Sequence, residues 1–579
     1  MTQQAGRKHQ PMSGDTGWLI GGGIMAVVVM IIGMYVVSLY VDLGIREAAG
    51  SSSVQTMLAA QITGRSPMTV LQIIVFVGEL VLLAAVGVLI FVAWRRTRGT
   101  KSRVDDRARD MTRVKDMAEL GNKAAKKDAE RLEATSAGDG VPLGKLVNNM
   151  QSLWASWEWV QIWIMGPRAG KTSCVCVPQI LETKGPVLAT SNKRDIVDLT
   201  RGPRSAKGNV WVHDAQAIIG EEPSWYWNPL TFVRDLETAE KLADVFRTSS
   251  TAADAREDAY FGPASKSLLT RYIYAAALGS RPITDVYRWV NDEKDFTAET
   301  ILREAGEGTV AQALEKDQMV TEKQRDGVYG QVRTWVAVLG NPKIAAWVRP
   351  NSQRRPEFDP AAFVRSTDTL YLISREGGGS ARAITAALVM ALLTTAEEIA
   401  AVPGPHAHAG RLNTPLMAVL DEAANVVRWK ELPDVYSHYG SRGIVVSTFF
   451  QSYAQGIEAY GESGMNKLWS AANIRVAGSG LSEDKFLPFL SSLVGDRDVT
   501  KRSASSQRGG RSTTTNIQRE RVFDPSDIGQ LPRGRAIMTA SGQPAALLAL
   551  QHFSTKPYGD EVKESQRYYE SQLSGSEHG

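Results

Sequence analysis

The sequence predicts an α/β protein with a mainly parallel sheet, an inserted all-helical domain and two transmembrane helices near the N-terminus. Three observations predict this architecture: two long apolar runs early in the chain, a series of short apolar runs bounded by turns, and a long internal stretch with only helical spacing. The chain has 579 residues, which is enough for several domains.

Composition excludes several classes of protein. Hydrophobic residues make up 43% and charged residues 22%, which is ordinary globular usage and excludes collagen-like, low-complexity and wholly disordered chains. The only two cysteines, Cys174 and Cys176, are too few for a disulfide framework and too closely spaced for a structural zinc site. A net charge of +4 is mild, so any contact with nucleic acid must depend on local clusters of basic residues.

The first apolar run predicts a transmembrane helix over residues 16–41, because no charged side chain occurs there and about 20 apolar residues cross a bilayer. The second run predicts another transmembrane helix over residues 68–94, with one acid, Glu79, near its middle. A cleaved signal peptide is the alternative for the first run. That run is longer than the apolar part of such peptides, and another span follows it.

Basic residues flank the two runs on their outer sides. Arg7 and Lys8 precede the first run and the cluster Arg95, Arg96 and Arg98 follows the second, whereas the connection 42–67 has few basic residues. Because basic loops stay in the cytoplasm, residues 1–15 and the chain after the second span are expected there. The sequence therefore predicts a multi-pass protein of the cell inner (cytoplasmic) membrane, with both termini cytoplasmic and an external loop over 42–67.

Short apolar runs predict the strands of the sheet. They lie at residues 157–165, 186–191, 209–214, 369–374, 416–420, 443–448 and 473–477. Most are apolar on both faces, which is typical of a buried parallel sheet. Residues 501–521 are Ser, Thr, Gln and Arg with hardly any apolar residue, so they predict a mobile loop. The arginines of that loop either contact a DNA backbone or face solvent.

A glycine-containing turn follows the first predicted strand and has the parts of a phosphate-binding loop. Backbone amides at a helix N-terminus would surround the phosphates, Lys171 would reach the β and γ phosphates, and the Thr172 hydroxyl would bind Mg²⁺. The usual first glycine of such a loop falls at Met165, and Gly166 stands one place later. The pattern predicts binding of ATP and Mg²⁺ by Gly166, Pro167, Arg168, Ala169, Gly170, Lys171, Thr172 and Ser173.

Carboxylates follow another apolar strand. Asp421 and Glu422 come directly after residues 416–420, so we expect Asp421 to bind Mg²⁺ with Thr172 and Glu422 to activate the attacking water. Gln451 follows a neighbouring strand and should reach the same edge of the sheet. The alternative role of Gln451 is to cap the next helix. Together these residues predict ATP hydrolysis.

Arg442 precedes the strand that ends at Gln451, so it lies at the opposite end of that strand. An arginine in this position would reach the nucleotide of a neighbouring subunit rather than its own, and such arginines accelerate phosphoryl transfer strongly. The alternative is a surface arginine in a turn.

The sequence resembles the TraG/TraD-type coupling proteins of type IV secretion and conjugation systems. The resemblance covers the two N-terminal spans, the phosphate loop and Asp421-Glu422, and the strand that ends at Gln451. It also includes Pro178, Lys193 and Trp227-Asn228-Pro229-Leu230.

This resemblance implies a RecA-like P-loop ATPase in a homo-hexameric ring, whose inserted all-helical domain takes part in substrate recognition. The implied partners are single-stranded DNA or a relaxase-DNA complex, protein effectors, and the components of a type IV secretion channel. By motif position it implies Lys171, Thr172, Asp421, Glu422 and Gln451 as site residues, with Arg442 as the arginine that acts in trans.

The expected function is that of a membrane-anchored ATPase coupling substrate recognition to export. The alternatives are a nucleotide-binding docking platform without turnover and a chromosome-type DNA translocase. The expected domains after the second span are a helical charged linker (95–145), a nucleotide-binding domain in two parts (146–235 and 351–555), the all-helical inserted domain (236–350) and a flexible tail (556–579).

Overall fold

The protein is described by a computed structural model that covers residues 30, 32–38, 40–41, 61–64, 67–97, 104–250, 260–350, 354–375, 379–427, 429–507 and 510–576. The chain divides into two compact units, residues 1–101 and residues 102–579.

The first unit contains the α1 helix, Val70–Thr97. Its segment Val70–Leu89 has a mean hydropathy of 2.4 and is 6% buried, so it is long and apolar enough to cross a membrane. Most of the first predicted span, residues 16–29, 31 and 39, lies outside the described residues, and the remainder up to Val41 is helical. The Tyr35 ring contacts Phe76 edge-on, and the Tyr35 hydroxyl donates a hydrogen bond to Gln61.

The second unit contains fifteen strands among its described residues. They are β1 Val141–Leu146, β2 Ser152–Ala155, β3 Gln161–Ile164, β4 Val187–Ser191, β5 Val210–His213, β6 Thr369–Ile373, β7 Ala407–His408, β8 Arg411–Leu412, β9 Leu416–Leu420, β10 Ile444–Phe450, β11 Ile474–Gly478, β12 Asp496–Gln507, β13 Gly510–Arg521, β14 Arg535–Ala540 and β15 Ala546–Ala549. Eleven of them form one sheet in the order β2-β1-β15-β14-β11-β3-β10-β9-β4-β6-β5.

Helices cover and extend this sheet. They are α2 Ala108–Met111, α3 Asn122–Arg131, α4 Val177–Glu182, α5 Asp195–Ser205, α6 Leu236–Ser250, α7 Phe261–Leu278, α8 Thr284–Asn291, α9 Thr297–Glu304, α10 Gly308–Gln318, α11 Glu322–Val336, α12 Pro342–Ala345, α13 Pro360–Val364, α14 Gly379–Ala401, α15 Ala423–Val426, α16 Leu432–Ser441, α17 Tyr453–Ala471, α18 Phe486–Val494, α19 Pro525–Gly529 and α20 Gly559–Ser576. From α6 to α12 the described chain forms helices and turns without a strand, which is the predicted all-helical insertion.

The seven strands from β11 to β5 are parallel, and they correspond to the seven predicted apolar runs. Two hydrophobic clusters cover the two faces of the sheet. Along β3, Ile162 and Ile164 belong to one cluster and Trp163 to the other, because successive side chains of a strand point to opposite faces. Both faces are therefore buried, as the apolar runs predict.

The α14 helix also passes the length and composition test for a membrane span, but 72% of its apolar segment Ala381–Ala401 is buried inside the second unit. Ile384, Leu388 and Leu392 of this helix are fully buried in the larger cluster. It is therefore a core helix.

Three segments differ from the sequence-based expectations. Residues 501–521 belong to the antiparallel ribbon β12–β13 and not to a loop, since hydroxyl-rich chain can pair with itself without an apolar face. The tail forms α20, in which buried Val562 and Ser565 fix it against α5. The charged linker contains short helices that bury Met117 and Leu120, and it ends at β1.

Candidate nucleotide-binding site

The carboxyl ends of four parallel strands, β3, β4, β9 and β10, meet at one edge of the sheet. Ligands of open α/β sheets bind in the crevice outside such carboxyl ends. Here the crevice is a cleft of about 420 Å³. It is lined by Gly166, Pro167, Arg168, Ala169, Gly170, Lys171, Thr172, Ser173, Ser191, Asn192, Lys193, Asp195, Asp421, Glu422 and Gln451.

The glycine shift in the loop has a structural explanation. Met165 is buried and its side chain packs under Gly478, whereas Gly166 lies against the turn that follows β11. A Cβ atom on Gly166 would be 2.2 Å from the carbonyl oxygen of Gly480. The position that requires glycine is therefore 166, and an apolar side chain at 165 fits the core.

The rest of the loop turns sharply into the helix that follows. Arg168 and Gly170 both have positive φ, of 59° and 91°, and such values favour glycine. One turn of π-helix, Thr172–Cys176, then precedes α4, and single π-helical turns occur frequently at functional sites. The backbone amides at this N-terminus favour an anionic ligand.

Lys171 bridges the two predicted carboxylates. Its Nζ atom lies 2.8 Å from Asp421 Oδ1 and 2.7 Å from Glu422 Oε1. The three side chains are largely buried, with 11%, 5% and 7% of their surfaces exposed. An ammonium between two buried carboxylates is a charged, hydrogen-bonded group of the kind that tolerates burial.

Glu422 is held by several contacts. Gln451 donates a hydrogen bond of 2.9 Å to Glu422 Oε1, and Asn425 donates one of 3.3 Å to Glu422 Oε2. The backbone of Glu422 is left-handed, with φ 54° and ψ 44°. A non-glycine residue in this conformation costs about 1–3 kcal/mol, and such strain clusters at functional sites.

Burial and pairing shift the pKa values of this cluster. Burial raises the pKa of Asp421 to about 6 against the opposing charge of Lys171. For Glu422 burial acts in the same direction, but Lys171 and then Gln451 hold its pKa below its usual value. Burial lowers the pKa of Lys171, yet the charges of Asp421 and Glu422 outweigh it and the net shift is upward. The ligand-free cluster thus keeps Lys171 charged.

The donor set fits a magnesium ion that is completed by phosphate oxygens. Thr172 and Asp421 line the same cleft and offer a hydroxyl and a carboxylate, which are hard oxygen ligands. Within the described residues no group of three His, Cys, Asp or Glu side chains could hold a metal ion alone. Magnesium usually takes one or two carboxylates and fills its other positions with water and substrate phosphates.

Arg442 lies away from this cleft. It follows α16 and precedes β10, at the edge of the sheet opposite to Gln451, and its Nη1 donates a hydrogen bond of 3.1 Å to the Gly410 carbonyl. The structure thus brings the other predicted site residues together and leaves Arg442 outside, as its place before the strand predicts.

Sequence reasoning missed part of the cleft. Asn192, in the turn between β4 and α5, and Asp195, the first residue of α5, line it beside Lys193. Gln455 accepts a hydrogen bond of 2.8 Å from the backbone amide of Gln451. The turn could have been found, because it follows an apolar strand of the same parallel sheet. The role of Gly480 had no such signal, since it depends on how closely two loops pack.

Comparisons with known proteins support the resemblance. Residues 415–533 match the family model described as the TraM recognition site of TraD and TraG. No curated protein matches the chain in sequence.

The fold matches crystal structures of a conjugative coupling protein. The structure of the bacterial conjugative coupling protein TrwBdeltaN70, unbound monoclinic form, has a TM-score of 0.54 and 16% identity over 73% of this chain and 91% of that one. The plasmid coupling protein TrwB with ADPNP has a TM-score of 0.51 and 17% identity over 68% and 86%. The structure of TrwB with ADP and Mg²⁺ has a TM-score of 0.50 and 16% identity, over 68% of this chain and 85% of that one. The family match and this fold together confirm the predicted resemblance of the chain to the TraG/TraD-type coupling proteins.

Proposed function

We propose that this protein is a membrane-anchored ATPase that couples substrate recognition to export through a type IV secretion or conjugation channel. The observation that carries the proposal is the cluster of Lys171, Asp421 and Glu422 inside a cleft formed by a phosphate loop. TrwB, whose fold the chain shares, has been crystallised with ADPNP and with ADP and Mg²⁺. ATP and Mg²⁺ are therefore the proposed ligands.

Each residue of the cluster has a proposed task. Lys171 would exchange its carboxylate partners for phosphate oxygens, and Thr172 and Asp421 would hold Mg²⁺. The ion would neutralise charge on the phosphates. When Lys171 leaves Glu422, burial still raises the pKa of that carboxyl group and its strongest opposing charge is gone, so Glu422 becomes a better base for the attacking water. Gln451, already hydrogen-bonded to Glu422, orients the same water.

The proposed assembly is a homo-hexamer in the inner membrane. The α1 helix and the apolar run before it anchor the chain, and the basic residues around them favour cytoplasmic termini. In a ring, Arg442 would serve the nucleotide of the adjacent subunit, since it lies at the far edge of its own sheet. The proposed cargo is single-stranded DNA, alone or bound to a relaxase, or protein effectors, and the matched TraM recognition region supports a relaxosome partner.

The test measures nucleotide binding and phosphate release by the full chain in detergent micelles. We expect Lys171→Ala to lose both, and Glu422→Gln to keep Mg²⁺-ATP binding while turnover falls at least 100-fold. Lys207→Ala is the matched control, because this exposed lysine contacts the Leu181 carbonyl and does not line the cleft. Binding without turnover by the wild-type chain, even with DNA and as a hexamer, would instead identify a docking platform.

A further inference from the structure

The ribbon formed by β12 and β13 is a feature of the fold that the nucleotide site does not use. Its two strands have twelve residues each and pair in continuous antiparallel register from Asp496 and Arg521 to Gln507 and Gly510. At about 3.4 Å per residue the ribbon is about 40 Å long. It forms a separate two-stranded sheet in the described chain, so both outer edges lack a neighbouring strand there.

The base of the ribbon is fixed to the body of the protein. Asp496 forms ion pairs with Arg519 and Arg521, and Arg497 forms one of 2.6 Å with Asp110. Directly after the ribbon, Val522 and Phe523 are buried in the larger hydrophobic cluster. The ribbon is therefore anchored at one end, and its acidic residues, Asp496, Asp498 and Glu520, all lie near that end.

The outer part of the ribbon has a different chemistry. From Val499 to Gln507 and from Gly510 to Gln518 the sequence contains three basic residues, no acidic residue and eight Ser or Thr residues. The basic residues are Lys501, Arg502 and Arg511, which the register places opposite Asn516, Thr515 and Ser506. Cations together with hydroxyl and amide groups are the usual partners of nucleic-acid phosphates.

We propose that the outer part of this ribbon is a DNA-binding arm that contacts the phosphate backbone of the transported strand. The inference rests on the proposed export function and adds the surface that receives the cargo. A two-stranded ribbon that pairs with no other sheet is marginal by itself. Apart from Val499, Ala504 and Ile517 this part has no apolar residue. This composition disfavours docking onto a protein, because strand addition takes its specificity from alternate side-chain pockets. A polyanion neutralises the basic side chains of the arm, and its binding requires no apolar contact.

The test measures DNA binding by the full chain in uncharged detergent without nucleotide, using a fluorescent 40-nucleotide oligothymidine and the matching duplex. The test variant combines Lys501→Gln, Arg502→Gln and Arg511→Gln. We expect its affinity at 0.1 M salt to fall roughly 10- to 100-fold, and the slope of log affinity against log salt to become shallower by about 2 for the single strand. A loss of affinity for the single strand, the duplex or both supports the arm, and it identifies the form of DNA that the arm binds.

The control combines Lys123→Gln, Lys126→Gln and Lys127→Gln, three exposed lysines of α3, and removes the same charge. Equal affinities and salt slopes for wild type, test and control would overturn the inference. So would a test variant that binds DNA normally and loses only binding to vesicles of anionic lipid. The double variant Arg502→Lys and Arg511→Lys keeps the charge and should bind normally. Because the assay measures DNA binding without ATP turnover, a failure of the arm proposal can be distinguished from a failure of the proposed ATPase function.

Discussion

Gly166 and Gly480 meet backbone to backbone where the phosphate loop passes the turn after β11, so closely that a Cβ atom on Gly166 would lie 2.2 Å from the Gly480 carbonyl oxygen. The amide of Gly166 also donates a hydrogen bond of 3.0 Å to the Ser479 carbonyl. The start of the loop is therefore positioned by a neighbouring loop as well as by its own strand.

Gly166→Ala should displace the phosphate loop. The added methyl group meets backbone rather than a flexible side chain, so the loop must shift, at a cost of about 1–3 kcal/mol. We expect affinity for Mg²⁺-ATP to fall at least tenfold, measured by titration calorimetry on the full chain.

Gly308→Ala is the matched control for this change. Gly308 begins α10 and has an ordinary φ, and no described atom beyond its own helix lies within 4 Å of the place that a Cβ atom would take. The substitution should therefore leave affinity unchanged. Unaltered affinity in Gly166→Ala would contradict the close approach of the two loops.

Arg442 should act between subunits. We expect Arg442→Ala to bind nucleotide normally, because the side chain lies outside its own cleft, and to lose turnover at least 100-fold. Mixing Arg442→Ala with Lys171→Ala chains should restore part of the phosphate release, since some sites then combine an intact Lys171 with a neighbour's intact Arg442. Turnover in the mixture no greater than in the separate variants would argue against a trans arginine.

Mg²⁺-nucleotide binding should weaken below about pH 6. Burial raises the pKa of Asp421 to about 6, so the carboxylate that would hold the ion is lost as the pH falls through that value, by about tenfold per unit. Because this folded pKa lies above the unfolded one, protonation of Asp421 does not itself favour unfolding.

The measurement compares nucleotide affinity with Mg²⁺ and with EDTA between pH 5 and 8. In Asp421→Asn the metal-dependent part should be small at every pH. If the metal-dependent affinity of Asp421→Asn fell at low pH as much as that of wild type, another group would cause the effect.

Acid should destabilise the protein through His213. This side chain is buried between Trp225 and Trp347, and neither ring nitrogen has a hydrogen-bond partner among the described residues. Burial lowers its pKa to about 4, so the unfolded chain takes up the proton first and stability is lost as the pH falls from about 6.5 towards 4. The full effect is up to about 3 kcal/mol.

The check is the change in Tm between pH 7.5 and pH 5 for wild type and His213→Leu. The variant removes the titrating group, so its Tm should fall less on acidification. An identical fall in both proteins would show that other groups cause the acid sensitivity.

The parallel sheet was predictable from the sequence because its strands are buried on both faces. Each strand is therefore a run of apolar residues, which can be recognised without knowing which strands pair with it. β9 was predicted with its observed bounds, Leu416–Leu420. The antiparallel strands β1, β2, β14 and β15 were missed. Their pattern is weaker, since β1 contains Pro142, Gly144 and Lys145 and is a strand only through its pairing with β15 and β2.

The residues of the candidate site were predictable where a polar or charged side chain follows a strand directly. Lys171, Asp421, Glu422 and Gln451 each stand immediately after a strand or its short turn, so strand order alone brings them to one edge. The bridging position of Lys171, the left-handed backbone of Glu422 and the contact of Gly166 with Gly480 depend on loop packing, which no local pattern in the sequence specifies.

The pairing of β1 with β15 has a consequence for biosynthesis, since Lys145 lies opposite Ala549, about 400 residues later. At about 5–20 residues per second, the ribosome needs on the order of 20–80 s to deliver that partner. A nascent chain therefore exposes the open edge of the β1–β2 hairpin for that interval. Chaperones that shield strand edges during translation should accordingly raise the yield of folded protein.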